Sequence, residues 1–204
     1  MSESTGNKIL FVTHTCYLDD SNGAAVASRA FMQALSRRGF AAEVLCGAVL
    51  DKDVDVDPER WLSERGYQVV STSGATVVVD PRSYRSTAPP HLSTTAHGIP
   101  VTVHRGPTTR RHEPSDAERV EFLQLLDSTL DRFQPDVLVG YGGNQLAMNV
   151  FATARSRGVA TAFMLYNFAY YHAQPFEHAD VVIVPSRFSA EHYARTLGIS
   201  CLVL

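Results

Sequence analysis

The chain has 204 residues, a formal charge of −3 and 45% hydrophobic residues. This composition is typical of a globular protein with one domain, and it excludes a disordered or coiled-coil chain. The small negative charge leaves no basic excess for a nucleic-acid backbone or an anionic membrane. The polar start MSESTGN does not resemble a signal peptide, and no apolar run approaches the roughly 18 residues of a membrane-spanning helix. Three cysteines in or beside apolar runs predict reduced, buried thiols in a cytoplasmic protein.

The first fifty residues predict a strand, a helix and a second strand. The apolar run 8–14 is typical of a buried strand, and 41–46 predicts another. Between them, 23–38 predicts a helix that Asn22 caps. Its predicted apolar face consists of Ala27, Ala30, Phe31, Ala34 and Leu35. This order implies a right-handed crossover between two parallel strands.

The middle of the chain is less regular. We predict a short helix at 58–65, short strands at 67–71 and 76–80, and a strand at 99–105. The segment 82–98 is rich in Ser, Thr, Pro and His, and we predict a loop there. It is longer than the roughly 12–15 residues usual for a connection without secondary structure, so it should be functional or disordered.

The second half alternates regularly between helices and strands. A capping box at 115–118 opens a helix that should end near 133. The remaining predicted elements are strand 137–140, helix 145–157, strand 159–165, strand 181–184, helix 187–197 and strand 201–204. About seven parallel-type strands with helices between them predict an α/β fold with a doubly wound, mainly parallel, Rossmann-like sheet flanked by helices. The whole chain, 1–204, should form this one unit.

Two charged segments have more than one interpretation. The alternating aspartates of 51–57 are typical of a divalent-metal site or of a solvated acidic loop that ends with Asp57 as a helix cap, and we favour the loop. A cluster of Arg105, Arg110 and Arg111 suits an anionic head group or a solvated loop, and again we favour the loop because no net basic field supports it. The sequence therefore predicts no metal and no cofactor.

Ligands of open parallel sheets bind beyond the carboxyl ends of the strands. Four loops qualify in this sequence: 14–23, 140–144, 165–172 and 185–187. A glycine at a helix start allows an anion to approach the free amides, although the Gly142–Gly143 pair is equally consistent with a tight turn alone. Three histidines near these loops are candidates for a catalytic or binding role: His14, His172 and His178. No G-x-G-x-x-G follows the first strand and no G-K pair occurs, which argues against a dinucleotide oxidoreductase and a P-loop enzyme.

Several segments together resemble a known family. They are Lys8-Ile9-Leu10-Phe11-Val12, Asn22-Gly23-Ala24-Ala25 leading to Arg37-Arg38-Gly39-Phe40, Pro135-Asp136-Val137-Leu138-Val139 with Tyr141-Gly142-Gly143, and Ala179-Asp180-Val181-Val182-Ile183-Val184-Pro185-Ser186-Arg187-Phe188. In this order and spacing they resemble the N-terminal lobe of glycosyltransferase family four, which has the GT-B fold. The resemblance spans nearly the whole chain and is loose between residues 50 and 115.

The resemblance implies an enzyme activity. It implies the acceptor-side lobe of a retaining glycosyltransferase of the hexosyl type, which takes a UDP- or GDP-sugar as donor and a glycan, lipid or small molecule as acceptor. The donor-binding C-terminal lobe of the family has no counterpart in 1–204, so we expect this lobe to fold alone but to be inactive. A different class remains open, namely a free-standing, non-catalytic α/β binding or interaction domain. The extent of the reading frame beyond codon 204 would separate the two.

The resemblance also implies roles for individual residues. Asn22, Gly23 and Ala24 should face the donor diphosphate. Tyr166 stands where many members carry a catalytic histidine, and the nearby His172 is the substitute. The expected acceptor-binding residues are His14, Tyr141, Gly142, Gly143, Asn144, Asn167, Tyr170, Ser186 and Arg187.

Overall fold

The computed structural model describes residues 7–72, 76–77, 86–87 and 89–204. The helices are α1 (Gly23–Arg37), α2 (Pro58–Ser63), α3 (Asp116–Phe133), α4 (Gln145–Ser156) and α5 (Arg187–Leu197), with a 3-10 turn at Gln174–Phe176. The strands are β1 (Lys8–Thr15), β2 (Ala41–Val49), β3 (Val70–Thr72), β4 (Thr76–Val77), β5 (Ser86–Thr87), β6 (His91–Ala96), β7 (Ile99–His104), β8 (Val137–Gly140), β9 (Ala160–Met164), β10 (Val181–Val184) and β11 (Cys201–Val203).

Nine of these strands form one open sheet in the order β11-β10-β9-β8-β1-β2-β7-β6-β3. The run from β11 to β7 is parallel throughout, and β6 and β3 extend it in antiparallel pairings. This confirms the predicted Rossmann-like α/β fold with a mainly parallel sheet. Within the part of the chain that the structure describes, β4 and β5 pair with each other in a separate two-stranded sheet.

The two faces of the sheet bury separate apolar clusters. Along β1, Ile9 and Phe11 point into one cluster, and Leu10 and Val12 point into the other. This alternation follows from the two-residue period of a strand and explains why β1 is apolar along its whole length. Helices α1 and α2 cover the first face, and α3, α4 and α5 cover the second.

The buried face of α1 matches the predicted one only in part, since Phe31 and Leu35 pack against the first cluster. Ala27 and Ala30 are exposed, and the fully or nearly buried residues of the helix are Ala25, Ser28, Arg29 and Met32. Arg29 is buried because its guanidinium donates to the carbonyl of Tyr17 at 2.5 Å and pairs with Asp20. The apolar pattern of the helix predicts that a charged residue such as Arg29 is exposed, but these hydrogen bonds satisfy its guanidinium in a buried position.

The prediction of a loop over 82–98 is wrong for its second half. Residues 91–96 form β6, which pairs antiparallel with β7 through a turn at His97 and Gly98, both at positive φ. The strand was missed because its sequence, HLSTTA, is dominated by polar and small residues. The first part of that segment (82–85 and 88), most of the strand predicted at 76–80 and the N-terminal residues 1–6 lie outside the described residues.

The predicted burial of the cysteines is confirmed for Cys16 and Cys46 and holds only in part for Cys201. All three are free thiols; Cys16 and Cys46 are buried, and Cys201 is partly buried. Among the described residues, no helix combines the length and the apolar character that crossing a bilayer requires.

Candidate functional site

The candidate site lies where β1, β8 and β9 end, near the centre of the sheet. His14 is the second-last residue of β1. Opposite it, β2 carries one extra residue, a β-bulge: Thr13 pairs with Cys46, but Thr15 pairs with Val49. Gly47 makes this bulge possible: a Cβ there would lie 2.0 Å from the carbonyl oxygen of His14. The position of His14 therefore depends on a glycine in the neighbouring strand.

Two of the predicted site tyrosines pack together at this edge. The rings of Tyr141 and Tyr166 meet edge to face with centroids 5.8 Å apart. The Tyr141 hydroxyl hydrogen-bonds the Thr15 hydroxyl at 2.7 Å, and the Tyr166 hydroxyl lies 3.0 Å from Ser28 Oγ on α1. Burial raises the pKa of Tyr141 to about 12 and also raises that of Tyr166, so both stay protonated at neutral pH. Tyr166 donates its hydroxyl proton to Met164 Sδ at 3.2 Å, which leaves its oxygen to accept, from Ser28 or from a polar ligand.

The Gly142–Gly143 turn has structural reasons for both glycines. Gly142 has a φ of 140°, and a Cβ on Gly143 would approach the ring of Tyr170 to 3.0 Å. Asn144 then caps α4, with its side-chain oxygen 2.9 Å from the amide of Ala147. The backbone conformation accounts for Gly142, and the Tyr170 ring beside the start of α4 leaves little room for a side chain at Gly143.

The start of α1 places the predicted donor-facing residues at the same edge. The Asn22 side chain accepts hydrogen bonds from the amides of Ala24 and Ala25, at 2.9 and 3.1 Å. Gly23 is exposed, and a Cβ added to it would meet no heavy atom within 4 Å. An anion at this helix start would therefore compete with Asn22 for the Ala24 amide, while nothing crowds its approach to Gly23.

The remaining predicted residues lie farther along the edge. His172 is exposed in the loop after β9, and Asn167 is exposed in the same loop, where its backbone carbonyl accepts from Tyr193 at 2.6 Å. Ser186 caps α5 after β10, and Arg187 is exposed beside it. β10 is three strand spacings from β1, or about 14 Å, so Ser186 and Arg187 are set apart from His14.

The acidic segment and the arginine cluster, which the sequence left as separate loops, bind each other. Asp51 pairs with Arg111 at 2.6 Å, and Asp55 pairs with Arg110 at 3.1 Å. Asp55 also accepts from the amide of Thr109 at 2.7 Å. The predicted cap role of Asp57 is also confirmed: its side chain accepts a hydrogen bond from the backbone amide of Arg60 in α2. The two loops enclose an open cleft of about 350 Å³, lined by Lys52, Asp53, Thr108, Arg110, Arg111 and His112.

One wall of this cleft adjoins a cluster of His14, His112 and Glu118. The His112 Nε2 lies 2.7 Å from Glu118 Oε1, and the rings of His14 and His112 meet edge to face at 5.3 Å. Burial, reinforced by His112, lowers the pKa of His14 to about 4, so its ring is neutral at pH 7. Burial alone would raise the pKa of Glu118, but the Ser115 amide and His112 outweigh it and hold that pKa below its usual range.

Sequence reasoning missed His112, Glu118 and the cleft. The available signal was the strand predicted at 99–105: if that strand is parallel to its neighbour, the loop that follows it lies at the carboxyl edge with the other site loops. The same holds for the acidic segment after β2. We interpreted both segments from their composition alone, and composition does not show that they lie at the carboxyl edge of the sheet.

Comparison with solved structures shows the fold, and no comparison shows a family. No protein-family model and no curated protein matches this sequence. The fold belongs to the class of GT-B-like, Rossmann-type α/β structures. Among solved structures, it is similar to the UDP-GlcNAc 2-epimerase from Methanocaldococcus jannaschii, with a TM-score of 0.54 and 10% sequence identity. The match covers 96% of this chain and 45% of the epimerase chain, so this chain spans less than half of that protein.

Proposed function

We propose that the chain is the acceptor-side lobe of a retaining, nucleotide-sugar-dependent glycosyltransferase, in which Gly23 faces the donor diphosphate. The observation that carries the proposal is the open space at Gly23, at the start of a helix on the carboxyl edge of the sheet. Amides and the positive end of a helix dipole stabilise an anion at such a position. The structural likeness to an enzyme named for a UDP-sugar supports the same substrate class.

The proposed chemistry assigns the donor and the acceptor to different residues. As the sugar–phosphate bond breaks, negative charge grows on the diphosphate, and the Gly23 amide stabilises it from one side. A second lobe supplies the donor contacts on the other side. Tyr141, Tyr166 and Asn144 shape the acceptor site together with His14 and Tyr170. In this proposal His172, in the exposed loop after β9, contacts the sugar.

The direct test compares two proteins against a panel of UDP- and GDP-sugars. One is the product of the complete reading frame, and the other is the 204-residue chain. We expect sugar transfer by the first, provided that the frame encodes a second lobe, and none by the second, because half of the charge stabilisation is missing. Transfer by the 204-residue chain would contradict the proposal. Absence of transfer and of nucleotide-sugar binding in both would favour the non-catalytic binding domain.

A second expectation concerns the acidic segment. Changing Asp53 and Asp55 together to asparagine should leave sugar transfer in EDTA within about twofold of the unchanged enzyme, because an asparagine oxygen can still accept from Thr109. Arg110 is the ion-pair partner of Asp55, and Arg111 is the partner of the neighbouring Asp51. Activity that needs manganese and disappears in the double variant would contradict this interpretation.

A further inference from the structure

We propose that His14, His112 and Glu118 form a binding site for a divalent transition metal of the zinc class. This site departs from the sequence prediction of no metal, and it does not rest on the proposed function. Two imidazoles and one carboxylate are a ligand set that binds zinc and leaves a fourth position open. None of these residues belongs to the acidic segment.

The geometry of the three side chains is close to that of a metal site. Among the described residues, their ligand atoms all lie within 4.8 Å of one another, and His112 Nε2 lies 2.7 Å from Glu118 Oε1. Tetrahedral zinc at 2.0–2.1 Å from each ligand separates the ligand atoms by about 3.3 Å. Small side-chain rotations would reach this arrangement. They would lengthen the distance between His112 and Glu118 and shorten any ligand-atom distance that is longer than about 3.3 Å.

The hydrogen bonds of His112 and Glu118 prepare both groups as ligands. His112 Nδ1 lies 2.8 Å from the carbonyl of Arg110, which can only accept, so this nitrogen carries the proton and donates it. The other nitrogen, Nε2, then points at Glu118 and can exchange its proton for a metal ion. Glu118 Oε2 accepts from the Ser115 amide at 2.9 Å, which leaves Oε1 for the metal. Outer hydrogen bonds of this kind orient the ligands of known metal sites.

The three ligands are held by separate parts of the fold. Glu118 is fixed in the capping box of α3, and His14 is fixed by the bulge opposite Gly47. His112 follows the loop that the acidic segment holds through Asp55 and Asp51. The His14 ring meets the His112 ring edge to face, which brings its nitrogens close to the ligand atoms of His112 and Glu118. His112 also lines the 350 Å³ cleft, which brings the site to its wall.

The experiment measures zinc and cobalt binding to the metal-free 204-residue chain. Zinc affinity is measured by competition with a chromophoric chelator, and cobalt(II) absorption reports tetrahedral coordination. The variants are His14→Ala, His112→Ala and Glu118→Gln; the last retains the capping box, which accepts Glu or Gln. The matched control is His97→Asn, because His97 is an exposed histidine in the β6–β7 turn, whose positive φ asparagine tolerates.

We expect one zinc per chain, the intense visible absorption of tetrahedral cobalt, and a thermal midpoint that rises on zinc addition. Each of the three variants should weaken zinc binding by about 100-fold or more, while the control binds as the unchanged chain does. The proposal is wrong if the unchanged chain binds no zinc or gives only octahedral cobalt absorption. It is also wrong if His14→Ala keeps full affinity, or if the control loses it. The cobalt spectrum of the unchanged chain tests for a tetrahedral site even if one of the variants fails to fold.

Discussion

Replacing Gly47 with alanine should lower the free energy of unfolding by about 3 kcal/mol, at the upper end of overpacking effects. The new Cβ would lie 2.0 Å from the His14 carbonyl oxygen and 3.0 Å from its carbonyl carbon. Both contacts are with backbone, so no side-chain rotation relieves them, and the end of β1 must move. Denaturant unfolding at 25 °C measures the loss.

The matched control for this variant is Gly23→Ala. Its Cβ meets nothing within 4 Å and alanine suits a helix better than glycine, so stability should change by less than about 0.5 kcal/mol. A loss below about 1 kcal/mol in Gly47→Ala would show that β1 and β2 adjust easily and that the bulge does not fix His14. A larger loss with weakened zinc affinity would connect the bulge to the proposed metal site.

The second large effect concerns Gly23→Val in the complete transferase. We expect sugar transfer to fall by about 100-fold or more, the cost of removing one donor to a developing anion. Stability should change by less than about 0.5 kcal/mol, because the side chain extends into open space. Both are measured on the same preparation, by initial rates with the donor varied and by denaturant unfolding.

Ala27→Val is the matched control for this second variant. It adds a branched side chain to an exposed position of the same helix, one turn beyond Gly23 and its free amides. Transfer by this control should stay within about twofold of the unchanged enzyme. If Gly23→Val keeps near-normal turnover, the glycine serves only the turn into α1, and the diphosphate binds elsewhere.

Local pattern was sufficient to predict the parallel part of the sheet. The unbroken apolar run of β1 and the regular alternation after residue 115 predicted parallel strands correctly, because strands buried on both faces need apolar residues at every position. The antiparallel strand β6 could not be predicted this way, since its pairing with β7 stabilises a polar sequence. The burial of Arg29 likewise depends on the Tyr17 carbonyl, which the helix pattern does not contain.

The candidate site was predictable only where it follows a strand directly. His14 and Tyr141 come immediately after or at the end of β1 and β8, and the structure brings them to one edge. His112 and Glu118 are 98 and 104 residues from His14 in the chain. His112 comes close to His14 because of the way the loop after β7 folds. Ion pairs with the acidic segment hold that loop.

That pairing has a consequence for how the cleft responds to ionic strength. The contacts of Arg110 with Asp55 and of Arg111 with Asp51 are exposed, and dissolved ions weaken attractions of this kind. The distance over which charges act falls from about 10 Å at 0.1 M salt to about 3 Å at 1 M. Concentrated salt therefore loosens the loop that carries His112, and the cleft is best defined in dilute buffer. An anion that enters it competes with the aspartates for the same guanidinium groups.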